Sequence, residues 1–476
     1  MAANTLITAL IDHQPGDAPF LTALGGQALS YDGLRGRVAQ AAAELMRRGV
    51  EPGDRVMCQI AKSPAGLVLY LASVAAGAVF VPLNTAYTAA ELDYFLGDAA
   101  PALLILDAPD ADARGGVPLV SPGDLLRPGP AAAPVPRQPD DLAAILYTSG
   151  TTGRSKGAML THENLLSNAI VLTELWRFTA DDCLLHALPI FHTHGLFVAT
   201  NTALLAGASI CLLPGFDLDR MAASLPAATA MMGVPTFYTR MLDDPRFTRQ
   251  SMAHMRLIVS GSSPLLAETH ARFAQQTGHA ILERYGMTET NMITSNPYDG
   301  KRIAGTVGHP LPGVALRLSA PDAQGIGGIE VRGPNVTPGY WRNRDKTAES
   351  FTPDGWFITG DLGQIDDQGY LSIVGRAKDL VISGGFNIYP KEVETVIDAL
   401  PGVAESAVFG VPHPDLGEAV AAAVVLAPGT DLSAETIISA LDGTLARFKI
   451  PRQVRILAEL PRNAMGKVQK QVLRQG

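Results

Sequence analysis

Apolar positions along the first part of the chain switch between two spacings. From 31 to 48 they recur at helical intervals, with Leu34, Val38, Ala42 and Leu45 on one face, and Gly49-Val50-Glu51-Pro52-Gly53 ends the helix. Residues 55–60 then read as a strand. The run 65–83 is almost continuously apolar and near membrane-spanning length, so a span is one reading of it. Its Ser73, Gly77 and Pro82 favour the other, a buried helix over 67–76 and a strand over 79–81. A helix over 89–96 and a strand over 102–106 follow. This alternation predicts βα units around a mostly parallel sheet covered on both faces.

After a proline-rich surface connection at 121–140, the short apolar run 142–146 reads as a buried strand that delivers the polar loop Tyr147 to Leu160; Thr161 then caps a helix. Further strands at 183–188, 210–213 and 257–260 continue the α/β pattern. Two of them run into His192-Thr193-His194 and Gly261-Ser262-Ser263. Ligands of open α/β sheets sit at the carboxyl ends of strands, so these segments and the polar loop are candidates for one site. Beyond Pro297 the chain turns rich in glycine and proline, with short strands at 315–318 and 329–332, which predicts a small β subdomain over 305–373. Helices at 390–399 and 433–445 around strands at 404–410 and 419–426 predict a compact α+β piece at the end.

At 476 residues the chain is too long for one core. A hydrophobic content of 47% with 17% charged residues indicates a well-buried globular protein, and a net charge of -9 speaks against a nucleic-acid or anionic-membrane surface. No obligatory protein partner is evident. Cys58, Cys183 and Cys211 lie far apart in apolar runs, forming neither a zinc pattern nor a disulfide framework. The first residues, Met-Ala-Ala-Asn-Thr, carry no basic region or cleavage motif, so the expected location is cytoplasmic.

The polar loop carries the first chemistry. Gly150, Gly153 and Gly157 allow backbone N–H groups to turn inward, the hydroxyls of Thr148, Ser149, Thr151, Thr152 and Ser155 add neutral donors, and Lys156 adds a positive charge. This is equipment for a polyphosphate, although Gly-Lys-Ser/Thr is missing and the loop is not a Walker A sequence. It resembles the phosphate loop of the acyl-adenylate-forming superfamily, which includes acyl-CoA synthetases. Arg284-Tyr285-Gly286-Met287-Thr288-Glu289-Thr290, Phe357-Ile358-Thr359-Gly360-Asp361-Leu362, the run from Gly375 to Glu394, and Pro461-Arg462-Asn463-Ala464-Met465-Gly466-Lys467 resemble that superfamily's later motifs, in the same order.

The resemblance implies ATP, Mg²⁺ and coenzyme A as substrates and cofactor. The implied fold has a large N-terminal domain (1–377) of parallel α/β sheets with a small β subdomain, and a small mobile α+β C-terminal domain (378–476). It implies ATP or AMP contacts from Thr148, Ser149, Gly150, Thr151, Thr152, Gly153, Lys156, Gly261, Ser262, Tyr285, Gly286, Thr288, Glu289, Asp361, Arg376 and Lys467. Within that set Tyr285 stacks on adenine, Thr288 meets the α-phosphate, Asp361 holds the ribose, and Thr148 and Glu289 hold the metal. Lys467 takes the place of the catalytic lysine, Lys378 is the hinge, and Gly384, Gly385 and Phe386 border the thiol tunnel.

Arg284 bears on which acid is activated. Many relatives that take apolar acids carry a small or neutral residue there, whereas a guanidinium offers a fork to a second carboxylate. An ion pair with Glu283 or Glu289 is the competing reading. The segments 191–196, 231–238 and 282–291 are similar to malonyl-CoA synthetases. That resemblance implies malonate as the substrate, with Arg284 on its distal carboxylate and His192 and Ser262 as further contributors; His192 as a packed aromatic gate remains open. Methylmalonate, another short or medium acid, or loading of a carrier by a stand-alone ligase are the alternatives. Arg447, Lys449 and Arg452 form a basic cluster that either meets CoA phosphates or is a solvated face.

Overall fold

A computed structural model describes residues 3–22, 28–111, 113–148, 155–383, 386–414, 416–462 and 467–475. By contact the chain divides into two units, Met1–Leu316 with Val331–Phe357, and Arg317–Glu330 with Ile358–Gly476. Residues 358–376, which precede the boundary expected between 377 and 378, group by contact with the C-terminal residues.

The first unit is built on two mixed sheets, of nine and seven strands among the described residues. In the larger one, Ser209–Leu212, Cys183–His186, Ala230–Gly233, Leu257–Ser260 and Leu282–Met287 run parallel in that order, and Asn291–Ser295 returns antiparallel to the last. In the smaller one, Arg55–Gln59 lies between the parallel strands Val79–Pro82 and Leu103–Leu106. Leu142–Thr148 joins Val79–Pro82 in parallel and pairs antiparallel with Lys156–Thr161, so the phosphate-loop sequence connects two adjacent strands.

The helices follow the apolar spacing. Tyr31–Arg47 begins at Ser30, whose hydroxyl accepts from the Gly33 amide at 3.2 Å, and buries Leu34, Val38, Ala41, Ala42 and Leu45 on one side. Each such leucine or valine contributes about 1.5–3 kcal/mol by leaving water. The run once open to a membrane reading is the helix Pro64–Ala75, with every residue from Gly66 to Ala75 buried, followed by the strand Val79–Pro82. Gly77 makes the turn between them at φ +77°, where a side chain would be strained. Among the described residues no helix is long and apolar enough to cross a membrane. Thr161 caps the helix His162–Leu175 in a reciprocal pair with Asn164.

Four more strands form one sheet in the order Ala315–Ser319, Gly327–Arg332, Phe357–Ile365, Leu371–Arg376, most of whose residues belong to the second unit. A separate five-stranded sheet carries the long antiparallel pair Val403–His413 and Gly417–Leu426. Val393 and Ile397 of the helix Pro390–Asp398 pack with Val408, Val420 and Val424 of those strands. The segment Leu282–Met287, which sequence spacing marked only as a motif, is a strand. Its Glu, Arg and Gly hide the usual apolar alternation, and pairing with neighbours on both edges supplies what propensity does not.

Candidate active site

Arg284 sits on the strand Leu282–Met287 and is 4% exposed. Its Nε and Nη2 have no hydrogen-bond partner among the described residues. Neither acidic neighbour answers it, which removes the ion-pair reading. Glu283 instead accepts from the Gly305 amide at 3.1 Å, and burial raises its carboxyl pKa to about 7. Glu289 takes the Tyr340 hydroxyl at 2.9 Å. Burial lowers the Arg284 pKa to about 9, which still leaves it cationic at neutral pH. A buried cation without a counter-charge is costly, and an incoming anion relieves the cost.

The surrounding groups share this incompleteness. His194 is 3% exposed; its Nδ1 lies 3.2 Å from the Ser262 hydroxyl, while its Nε2 has no partner among the described residues. Burial first, then the Arg284 charge, hold His194 well below the ordinary histidine range, so it is a neutral donor or acceptor. The hydroxyls of Thr193 and Ser260 are likewise buried without a partner among the described residues. Ser262 stands at φ +71°, a left-handed conformation that a non-glycine residue adopts at some cost, and it carries the hydroxyl that meets His194. A Cβ on Gly261 would lie 2.2 Å from the Arg284 guanidinium carbon, so this position holds glycine to leave the cation its room. Two strand ends therefore meet as their sequence suggested, at a cationic, donor-rich, partly unsatisfied spot suited to a carboxylate. His192 is at its edge, its Nδ1 accepting from the His194 amide at 3.4 Å. Sequence reasoning had favoured His192 over His194; the apolar run Gly195 to Ala199 after His194 was the available signal for burial.

Of the other expected nucleotide residues of this unit, Tyr285 and Gly286 lie on the same strand, Thr288 and Glu289 in the turn after it, and Thr148 and Lys156 on the loop's flanks. Tyr285, Gly286 and Thr288 are partly exposed beside buried Glu289. A Cβ on Gly286 would fall 2.0 Å from the Asn291 carbonyl, so the antiparallel turn-back demands glycine. Lys156 lies with its Nζ 6.0 Å from the centre of the Tyr340 ring, which places a cation, a phenol and the Glu289 carboxylate together. Thr148 donates to the Lys156 carbonyl at 3.4 Å. Ser149, Gly150, Thr151, Thr152 and Gly153 lie outside the described residues. One buried carboxylate and one hydroxyl fit a magnesium ion, which takes few protein ligands and completes its oxygen shell from phosphates and water.

In the second unit, Asp361 and Arg376 face each other across the antiparallel strands, with Arg376 Nε 2.7 Å from the Asp361 carboxylate. Gly360 precedes Asp361 at φ +74°, and the Asp361 amide donates to Thr359 Oγ1 at 3.1 Å. Lys378 is exposed on the single turn Ala377–Asp379. Phe386 is 54% exposed and stacks on Phe448 at 4.5 Å. Gly384 and Gly385 lie outside the described residues, as do 463–466, and Lys467 is exposed.

Residues 9–341 match the family model described as AMP-binding enzyme, and 392–467 match that of the AMP-binding enzyme C-terminal domain. Among solved structures, ATP-bound MatB from Rhodopseudomonas palustris is similar at a TM-score of 0.96 and 52% identity, covering 100% of this chain and 99% of that one. A malonyl-CoA ligase in a ternary product complex with methylmalonyl-CoA and AMP is similar at a TM-score of 0.71 and 38% identity, covering 96% and 100%. A feruloyl-CoA synthase of Amycolatopsis sp is 36% identical over 470 residues, 95% of each chain. On this agreement of both halves of the chain, it belongs to the AMP-binding enzyme family.

Proposed function

We propose that the chain is a malonate–CoA ligase: malonate, ATP and coenzyme A give malonyl-CoA, AMP and pyrophosphate through a malonyl-adenylate. The observation that carries the choice of acid is the buried Arg284 guanidinium, whose Nε and Nη2, like the nearby His194 Nε2, have no hydrogen-bond partner among the described residues. A monocarboxylate would leave that charge buried and alone. Malonate brings a second carboxylate for it while its first reacts.

The reacting carboxylate is already ionised and needs no base. It attacks the α-phosphorus of ATP and pyrophosphate leaves in line, so the protein's work is positioning and neutralisation of charge. We assign Tyr285 to the adenine, Thr288 to the α-phosphate, Asp361 and Arg376 to the ribose and nucleotide, and Lys156 with the loop 148–153 to the phosphates. Thr148 and Glu289 hold magnesium, whose charge offsets that of the phosphates. Lys467 supplies the cation for the first step. In the second step the thiol displaces AMP, and Lys378 is the hinge by which the C-terminal domain, 378–476, is repositioned between the steps. The three buried thiols suit a reducing compartment, and we place the enzyme in the cytoplasm.

Pyrophosphate release over a panel of acids, with and without CoA, tests this reading. Malonate should drive release and yield a thioester, methylmalonate should follow within the 1–3 kcal/mol that about one methyl group is worth, and butyrate and ferulate should be poor. A preference for ferulate or butyrate over malonate would overturn it. Gly261→Ala gives a second check. Its methyl group must push the guanidinium aside, so KM for malonate should rise about tenfold or more while KM for ATP stays within about twofold, as expected when about 1.4 kcal/mol of substrate binding is lost.

A further inference from the structure

A cavity of about 380 Å³ opens in the first unit, walled by Ile60, Pro82, Phe191, Phe216 and Phe237, and among the described residues Lys62 is the one basic side chain that lines it. None of the assignments above uses it. Lys62 joins the strand Arg55–Gln59 to the helix Pro64–Ala75, and its Nζ lies 2.8 Å from the His186 carbonyl and 3.1 Å from His186 Nδ1. The other ring nitrogen of His186, Nε2, is 2.9 Å from the Gly195 carbonyl. A carbonyl only accepts, so Nε2 carries the histidine proton and Nδ1 must accept from Lys62. Two hydrogens of the amine are thereby committed to His186, and the remaining tetrahedral position belongs to whatever fills the cavity. Among the described residues Lys62 has no acidic partner. The titratable groups around it are His186, Cys211 and, on the preceding strand, Cys58; Asp107 accepts from the neighbouring Ala61 amide at 2.7 Å.

The cavity adjoins the candidate acyl site. Phe191 of its wall immediately precedes His192, and the carbonyl that orients His186 belongs to the residue after His194. Its apolar walls suit a slender uncharged arm ending in a thiol. We propose that Lys62 is the base of the second half-reaction, taking the proton from the coenzyme A thiol, with His186 holding its amine in place. The S–H bond breaks as the proton passes to the lone pair of Nζ. Sulfur bonds to the acyl carbon, the bond from that carbon to the AMP oxygen breaks, and AMP leaves with the electron pair; the ammonium then returns its proton to water. Burial holds the Lys62 amine well below the ordinary lysine range, which favours the form that has a lone pair to offer.

This inference rests on the proposed ligase function, and one set of assays separates the two. Malonate-dependent ATP–pyrophosphate exchange reports the first step and the integrity of the fold; thioester formation from malonyl-adenylate and CoA reports the second. Lys62→Met should exchange pyrophosphate like the unaltered protein. Its thioester kcat at pH 7 should fall about 100-fold, recovering as pH rises past about 8.5, where the thiol ionises unaided. Lys62→Arg, which keeps a charge but offers no base, should behave like Lys62→Met. A raised KM for CoA with unchanged kcat and pH profile, or full activity in Lys62→Arg, would overturn the role and leave the ligase reading standing. An unaltered protein that exchanges no pyrophosphate with malonate would remove both.

Discussion

Arg284→Met is expected to lose malonate without losing its fold. Removing one partner of a buried, hydrogen-bonded charge pair costs about 2–5 kcal/mol, so kcat/KM for malonate should fall between about 30-fold and several thousand-fold. KM for ATP should stay close to its original value. The stability effect should run the other way. Without substrate, the buried Arg284 guanidinium has Nε and Nη2 unpaired among the described residues, and an apolar side chain of similar length relieves that cost. The variant should therefore melt no lower than the unaltered protein, and it should lose the rise in Tm that malonate gives by binding the native state. A variant that turned over malonate normally, or unfolded at once, would mark Arg284 as structural.

Lys467→Ala divides the reaction at a different point. The lysine is exposed, and its proposed work is to offset charge developing on the α-phosphate during adenylation. Loss of one such group costs about 10²–10³ in rate, so malonate-dependent pyrophosphate exchange should fall by at least that much. Thioester formation from preformed malonyl-adenylate should persist within a few-fold, because that step breaks the bond to AMP without moving pyrophosphate. Equal loss in both assays would take the assignment away.

Much of this was legible in residue spacing, and the exceptions have physical causes. The helix Tyr31–Arg47 and the cap at Thr161 were readable because capping and apolar periodicity are local. The run 65–83 was readable as helix then strand because Gly77 and Pro82 interrupt it where a membrane span would not. The strand Leu282–Met287 was not, since its side chains serve the site and break the alternation that normally marks a strand. Arg284 was singled out from sequence, but its lack of partners among the described residues is a property of burial, which no spacing reports. His194 and Gly261 show the same limit. Gly261 was expected among the nucleotide contacts, and it lies under the Arg284 guanidinium, a contact between the end of one strand and its neighbour in the sheet that residue spacing does not report. Lys62 carries no motif in the sequence, and only the fold brings His186 to it.

The sharpest test compares malonate with its monomethyl ester, which keeps the reacting carboxylate and the chain length but removes the distal charge. Pyrophosphate release should favour malonate over the ester by about 100-fold or more in the unaltered protein, and that preference should shrink to within a few-fold in Arg284→Met, as expected when one buried charge pair carries the discrimination. Equal use of the two acids by the unaltered protein, or a preference that survives the substitution, would contradict the claim that the buried guanidinium selects a diacid.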